Sequence, residues 1–539
     1  MRTATKPYKP SRASAFPIAA CLMVLSLLPA CDTPDALAPA EPAPSLDIEA
    51  TAEATRRPGN KAIYASPTGS PVAPGTLARP ISLAMALART ALYAPGDTLY
   101  LLGGRYRGTF FSILRGSAAK PIIVRNAPGQ RATIDGGLFI RGGFTWYWGL
   151  EVMFSDTRRT SALSTSTGLD LPRAAVGISV EGPNIRLINN VFHDLGNTVF
   201  GGLAAPNFEM YGTLVYNNGW IAPNRGHGHG VYLQNASGST KRVVDNVLFQ
   251  QFSTGIKISG TSSASLQDML IEGNTSFANG APAAHVFGME MNAFHQGGDG
   301  RSRNLVFRGN SFYHADGTAG SFKSGMGSVR PVEDMTFSDN IVQGVTAFNL
   351  PTRLRASGNR FTSGDKVLMN GQSLIEVSIP RGLPFADNTL NGNRYSIQGP
   401  ERTPLYTSSP VPMNMTFAAW RRLTSYDAAG SLNVGKFDGS TVIVRPNQYE
   451  SGRAFVTVWN WNRAASVNAD LSRVLRAGDR YQVHHVYDVY GAPVASGTYN
   501  GTPVALPQTA PPAPMPIGWN RLTGTAGNDF NVYLVRRVP

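Results

Sequence analysis

From about residue 175 onward, apolar and polar positions alternate in runs too short for helices. Seven of these runs share one ending: a short alternating strand, an asparagine, then a further apolar pair. They are IRLINNVF (Asn190), TLVYNNGW (Asn218), KRVVDNVLF (Asn246), MLIEGNTSF (Asn274), LVFRGNSF (Asn310), MTFSDNIV (Asn340) and LRASGNRF (Asn359). The first four asparagines stand 28 residues apart, and the next intervals are 36, 30 and 19. Equal intervals in succession mark a repeat. Short strands at this period, with no helices between them, predict a coil. Each turn of such a coil adds one strand to each of several parallel sheets, about 4.8 Å from the last. An asparagine amide both donates and accepts, so asparagines stacked at a bend form a ladder of hydrogen bonds. The repeated asparagines therefore belong to the scaffold.

A second kind of strand starts after a glycine: GISVEG (177–182), GVYLQN (230–235), GIKISG (255–260) and GMEMNA (288–293). Alternation turns Ile178, Val180, Val231, Leu233, Ile256, Ile258, Met289 and Met291 inward. It turns Ser179, Tyr232, Lys257 and Glu290 outward in one column, with Gln234, Ser259 and Asn292 in a second. The 53-residue interval from Gly177 to Gly230 holds more than one coil, and NTVFGGLAAPNFEMYG within it is a candidate irregular strand. A coil end exposes apolar side chains and unpaired backbone. The segment PISLAMALARTALY (80–93), with Ile81, Met85, Ala88 and Leu92 on one face, is the expected N-terminal helical cap. The pattern changes near 380–410. Residues 401–539 then carry TVIVRPNQY, RAFVTVWNW, YQVHHVYDVYG and FNVYLV between Gly, Asn and Asp turns, which predicts an antiparallel β-sandwich.

Composition narrows the class. With 57 glycines, 38 prolines and 15% charged residues in 539, the chain is turn-rich. Its two cysteines, Cys21 and Cys31, leave the folded part without disulfides or thiolate metal sites. Basic residues Arg2, Lys6, Lys9 and Arg12 precede a short apolar run, so residues 1–31 read as an export signal. LPAC (28–31) resembles the lipobox of bacterial lipoproteins, which implies Cys31 as a lipidated first residue of the mature chain. Pro29 stands where a small residue is usual, and cleavage without lipidation is the alternative. Residues 32–60 form a Pro/Ala-rich tether. The net charge of +14 suits an acidic partner or simply makes a basic, soluble surface. No clustered basic and aromatic motif points to nucleic acid.

The segments IYASPTGSPVAPGTLARP (63–80), PGDTLYLLGGRYRGTF (95–110) and AAKPIIVRNAPGQRATIDGG (118–137), with the coils after 175, resemble the right-handed parallel β-helix proteins of the pectate-lyase-like superfamily. The resemblance covers about 61–375. VRPNQYESGRAFVTVWNW (444–461) and SGTYNGTPV (496–504) resemble a β-sandwich appended to some of them. It implies an all-β chain: a right-handed parallel β-helix over 61–400 with an N-terminal helical cap, then a β-sandwich over 401–539. Members include lyases, hydrolases, epimerases, esterases and non-enzymatic surface proteins, so the fold alone names no reaction. The calcium-binding Asp cluster, the close Asp pairs of the hydrolases and the DPH element of the epimerases have no counterpart in this chain.

Members of this superfamily bind glycans along an outward parallel sheet. That implies Tyr232, Lys257 and Glu290 here, with Gln234, Ser259 and Asn292 beside them. Elimination from a polyuronate needs a base for the proton α to the carboxylate, cations for the resulting charge and an acid for the leaving oxygen. Lys257 is the candidate base or carboxylate partner, Tyr232 or His229 the candidate acid, and Arg225 a candidate uronate clamp. The alternative for Lys257 and Glu290 is a surface ion pair worth about 0–1 kcal/mol. His227 and His229, in RGHGHGVYLQN, have the spacing of a metal pair, but no third ligand has a compelling position. The other reading is a glycine-rich entry to a strand, with a histidine bonded to a neighbouring loop. In the tail, Trp459, Trp461 and Tyr487 are either a sugar platform or core, and His484 and His485 are ordinary strand residues. The expected protein is exported, monomeric and carbohydrate-active. It is a lyase of acidic polysaccharide, or alternatively a non-catalytic glycan-binding or structural surface protein. The sequence names no cofactor and no metal.

Overall fold

The computed structural model describes residues 60–538 except 165–167, 169, 288–292, 329, 370, 380–381, 383–384, 402–403, 410–411 and 524–525. The expected export signal, Cys31, the tether, and the positions Met289, Glu290, Met291 and Asn292 lie outside the described residues.

Among the described residues, three sheets of 13, 12 and 12 strands run the length of the coil. Each turn visits them in the same order. Lys241–Val244 lies in the first sheet, Val247–Phe249 in the third and Ile256–Gly260 in the second, and Leu266–Glu272 then returns to the first. Strands within a sheet pair in parallel until the last pair of the second sheet, where Met413–Met415 runs antiparallel to Leu405–Thr407. Inward positions follow the alternation: Ile178, Val180, Val231, Leu233, Ile256 and Ile258 are all in one continuous core. Later coils fill that core with rings, and Phe294, Phe307, Phe322 and Phe337 contact one another at 4.6–6.0 Å.

The bend from the first to the third sheet is held by buried amides. Asn246 Nδ2 donates to Asn274 Oδ1, and the relay continues through Asn310, Asn340, Asn359 and Asn393 to Asp427, each step 2.8–3.1 Å. Each ladder oxygen also accepts the backbone N–H of the rung before it. Each second amide hydrogen goes to a strand carbonyl, as Asn310 Nδ2 does to Ile271. Both donors and both lone pairs are used, which is what burial of an amide requires. Asp427, which only accepts, ends the relay and takes further bonds from Tyr395 and Trp420. The residue before each rung has positive φ: Asp245, Gly273, Gly309, Asp339, Gly358 and Gly392. Glycine and short polar residues bear that conformation best, which explains the DN and GN pairs of the repeat.

Asn218 is not in this ladder. The rung between Asn190 and Asn246 is Thr213, 23 residues after the first and 33 before the second. Asn218 holds the opposite bend, from the third to the second sheet. It accepts from Leu195 N and donates to Gln251, whose N–H in turn bonds Asn279. The equal 28-residue intervals on either side of Asn218 thus join two different bends.

The N-terminal cap is shorter than expected. Its α-helix spans Leu83–Ala88, followed by a 3-10 turn at Thr90–Leu92. It buries Leu83, Ala86 and Leu87, while Ile81 enters the core from the extended chain before it. The coil also runs past residue 400: Leu405–Thr407 and Ser431–Val434 still pair with coil strands. The antiparallel part starts at Thr441 and has a five-stranded sheet and a two-stranded ribbon. One face of the five-stranded sheet meets the ribbon through Val456, Val458, Val467, Leu506 and Val535. The other face lies on the third sheet of the coil, where Phe455, Trp459, Tyr487 and Phe530 pack against Phe249, Phe277 and Tyr313. Trp459, Trp461 and Tyr487 are 0%, 5% and 6% exposed, so they are interface core and not a sugar platform.

Asn310→Ala leaves the backbone N–H and one amide hydrogen of Asn274 without an acceptor, and Asn340 Oδ1 with only the backbone N–H of residue 310. The expected loss is about 2–3 kcal/mol of unfolding free energy, read from the urea midpoint. An unchanged midpoint would mean that the amide relay does not hold the bend.

Candidate functional site

The outward column of the second sheet is set by strand register. Ser179, Phe200, Tyr232, Lys257, His295 and Lys323 follow one another on successive strands, and Ala347 and Glu376 continue the line. Tyr232 lies between Phe200, ring to ring at 5.7 Å, and Lys257, whose Nζ is 5.6 Å from the phenol ring. Although they face outward from the coil, Tyr232 is 6% and Lys257 2% exposed. His295 and Lys323 are half-buried.

The place expected for Glu290 beside Lys257 is taken by His295. The strand that pairs with Ile256–Gly260 is Phe294–Gly298, which begins six residues later than the GMEMNA run and follows a short helix at Ala284–Phe287. The buried ring of Phe294 fixes that register in the core. In the second column, Gln234 and Ser259 are both buried. The position beside Ser259 is Gly297, not Asn292. A Cβ there would meet Met326 O at 2.4 Å and His295 Nε2 at 3.0 Å, so glycine lets the next strand and the imidazole come close.

The RGHGH approach divides its histidines between two tasks. Gly226–His227 pairs antiparallel with Trp220–Ile221, and the His227 ring stacks on Trp220 at 4.9 Å with 8° between planes. Arg225 Nε is 3.4 Å from His227 Nε2. These two residues meet each other within the hairpin. The glycines permit a close approach: a Cβ on Gly226 would meet Phe252 O at 2.1 Å, and one on Gly228 would meet Gly219 Cα at 2.2 Å. His229 lies beyond this hairpin, with its ring 5.8 Å from Tyr232 and so beside the column. Among the described residues, no group of three His, Cys, Asp or Glu side chains has the arrangement of a metal site.

The row Tyr232, Lys257, His295 and Lys323 brings a phenol, an amine, an imidazole and a second amine onto four consecutive strands. Burial raises the Glu376 carboxyl above its ordinary range, against the opposing pull of Lys323. Such a row can neutralise a carboxylate and pass protons on either side of it. His295 and Lys323 were legible only in part: AFHQGG and GSFKSGM alternate correctly, but the register that unites them depends on the helix before Phe294.

A second titratable cluster lies on the third sheet, beneath the C-terminal part. His193 bonds Asp194 at 2.8 Å and Glu151 at 3.1 Å, and stacks on Tyr216 at 4.9 Å. Glu151 also accepts from Arg131 and Thr133. Asp194 accepts from the fully buried Arg159 and from Ile517 N. Arg159 Nε in turn donates to Ile517 O, and Arg131 lies over the Tyr490 ring. Burial disfavours the imidazolium, but the bonds to Asp194 and Glu151 outweigh it and push His193 up to about 9. Burial would raise Glu151, but His193, Arg131 and Thr133 hold it down at about 2. With every partner internal, this cluster joins the two parts of the fold.

No protein family and no curated protein matches the chain in sequence. Solved structures similar to it include a rhamnogalacturonan lyase (14% identity, 69% of this chain and 88% of that one, TM-score 0.43). Pectate lyase Pel9A is 14% identical over 66% of this chain and 82% of its own, with a TM-score of 0.39. XylC in complex with xylose is 9% identical over 88% and 99%, with a TM-score of 0.42. The likeness is one of fold.

The His193 joint has a defined pH range. A histidine raised above its ordinary 6.5 contributes fully below that value and loses its contribution as pH rises through about 9. Glu151, lowered from 4.5, contributes fully above 4.5 and loses it as pH falls through about 2. The joint is therefore strongest between about 4.5 and 6.5. Melting midpoints measured from pH 6 to 10 should fall for the native chain and fall less for His193→Gln. Parallel curves would remove His193 from the joint.

Proposed function

We propose that this chain is an exported carbohydrate-active β-helix protein that cleaves an acidic polysaccharide by β-elimination on its second sheet. The observation that carries the reading is the row Tyr232, Lys257, His295 and Lys323 in register on four adjacent strands. Adjacent strands about 4.8 Å apart suit a chain of sugars laid across them. His295 and Lys323 offset the charge of a uronate carboxylate. Lys257 takes the proton α to that carboxylate. The C–H electron pair becomes the new C=C bond, and the glycosidic C–O bond breaks. Tyr232 gives its proton to the leaving oxygen, with His229 behind its ring. This scheme assigns no step to Arg225 or His227, which meet each other and, through His227, Trp220. The basic and apolar N-terminal run supports export, and LPAC supports lipidation at Cys31.

One observation favours a second reading, a glycan-binding protein without catalysis. Tyr232 and Lys257 are almost fully buried, which suits a structural lysine held against a phenol.

Incubation with alginate, pectate and glycosaminoglycans, following absorbance of the unsaturated product, separates the two. The expected result is product from at least one acidic glycan and none from neutral ones. Lys257→Ala should then lower kcat by about 10²-fold or more, the usual scale for a lost general base. Binding without product from any acidic glycan would establish the second reading instead.

A further inference from the structure

A cleft of about 320 Å³ opens on the first sheet, away from the row just described. That size lies at the lower end of the range for small-ligand sites, about 300–1,000 Å³. Its floor is again set by register: Trp146, Arg186, Glu209 and Arg242 stand side by side on four adjacent strands. Phe144 forms one wall. Tyr449 reaches the same group from the C-terminal part. Its ring meets Trp146 edge-on at 5.7 Å and its hydroxyl donates to Glu209.

The charges in the cleft do not cancel. Glu209 is buried and spent on internal partners, accepting from Tyr449 and pairing with Arg242 Nε at 3.3 Å. Arg186 lies 4.7 Å over the Trp146 ring and donates to the neutral Tyr449 hydroxyl at 2.9 Å. Among the described residues, Arg186 has no carboxylate partner within ion-pair distance. One carboxylate against two guanidiniums leaves one positive charge over an aromatic floor.

Phe144 adds an independent sign. Its φ is +49°, a conformation costly for a bulky residue. The same turn on the next two coils carries Asn184 at +55° and Asn207 at +56°, residues that bear it readily. Phe144 N bonds Pro183 O just as Asn184 N bonds Pro206 O, so the three positions are equivalent. The coil therefore takes a phenylalanine where asparagine would be less strained, and the ring it gains lines the cleft.

We propose that this cleft is a non-catalytic binding site for a carboxylated sugar residue. Arg186 is the counter-ion of the carboxylate, and the Phe144 and Trp146 rings pack on the C–H faces of the pyranose. The C-terminal part completes the site by supplying Tyr449, which orients Arg186 and Glu209. The proposal stands whether or not the second sheet is catalytic.

Titration of the full chain with trigalacturonate, followed by tryptophan fluorescence, tests it. A saturable change is expected that weakens as salt is raised and is absent with cellotriose. Arg186→Gln should weaken binding about tenfold or more, the scale of a lost charged hydrogen bond. Phe144→Asn should weaken it about fivefold while the melting midpoint holds or rises, because asparagine suits that backbone. An equal response to cellotriose would overturn the proposal. So would native affinity in Arg186→Gln or Phe144→Asn.

Discussion

A buried amide that finds both its donors and both its acceptors within the chain is the constraint from which this structure follows. A coil of short strands turns sharply several times per circuit, and each turn leaves polar groups facing the core. The relay from Asn246 to Asp427 answers that need at one bend. Asn218 and Gln251 answer it at another. The relay also forces the residue before each rung into the left-handed region, which restricts that position to Gly, Asp or Asn along the ladder. Once the bends are aligned, the strands between them are in register. Outward side chains then form straight columns, and the row on the second sheet and the floor of the cleft are two of them.

The three faces serve different ends. The third sheet buries its column, from His193 through Tyr216, Phe249 and Phe277, under the antiparallel sheet. The first sheet is covered in part by the loop bearing Tyr449, which leaves a cleft. The second sheet carries the row of Tyr232, Lys257, His295 and Lys323. Burial of charge marks the division between these faces. At the joint, Arg159, Asp194, His193 and Glu151 satisfy one another, whereas Arg186 in the cleft keeps a charge that no described carboxylate balances.

Much of the coil was legible because its signal is local. Alternation identified Val231, Leu233, Ile256 and Ile258 as core and Tyr232 and Lys257 as outward without any knowledge of neighbours. The neighbours themselves were not legible. Glu290 was the expected companion of Lys257 because GMEMNA repeats the glycine-first pattern. The helix Ala284–Phe287 shifts the pairing strand to Phe294–Gly298 and brings His295 there instead. His227 likewise shares a motif with His229, yet the turn at Gly228 sends it to Trp220.

Strand periodicity, the inward faces, the amides at the bends and the antiparallel character of the tail can all be read from the chain's local pattern. Each depends on residues a few positions apart, where backbone geometry alone dictates the outcome. It took the folded coil to show that Asn218 and Asn246 serve different bends, that the tail's tryptophans seal an interface, and that Tyr449 meets Arg186. That last contact spans 263 residues, and the ladder steps span 19 to 36. Loop lengths and the packing of large rings set such pairings, and no local pattern in the chain encodes them.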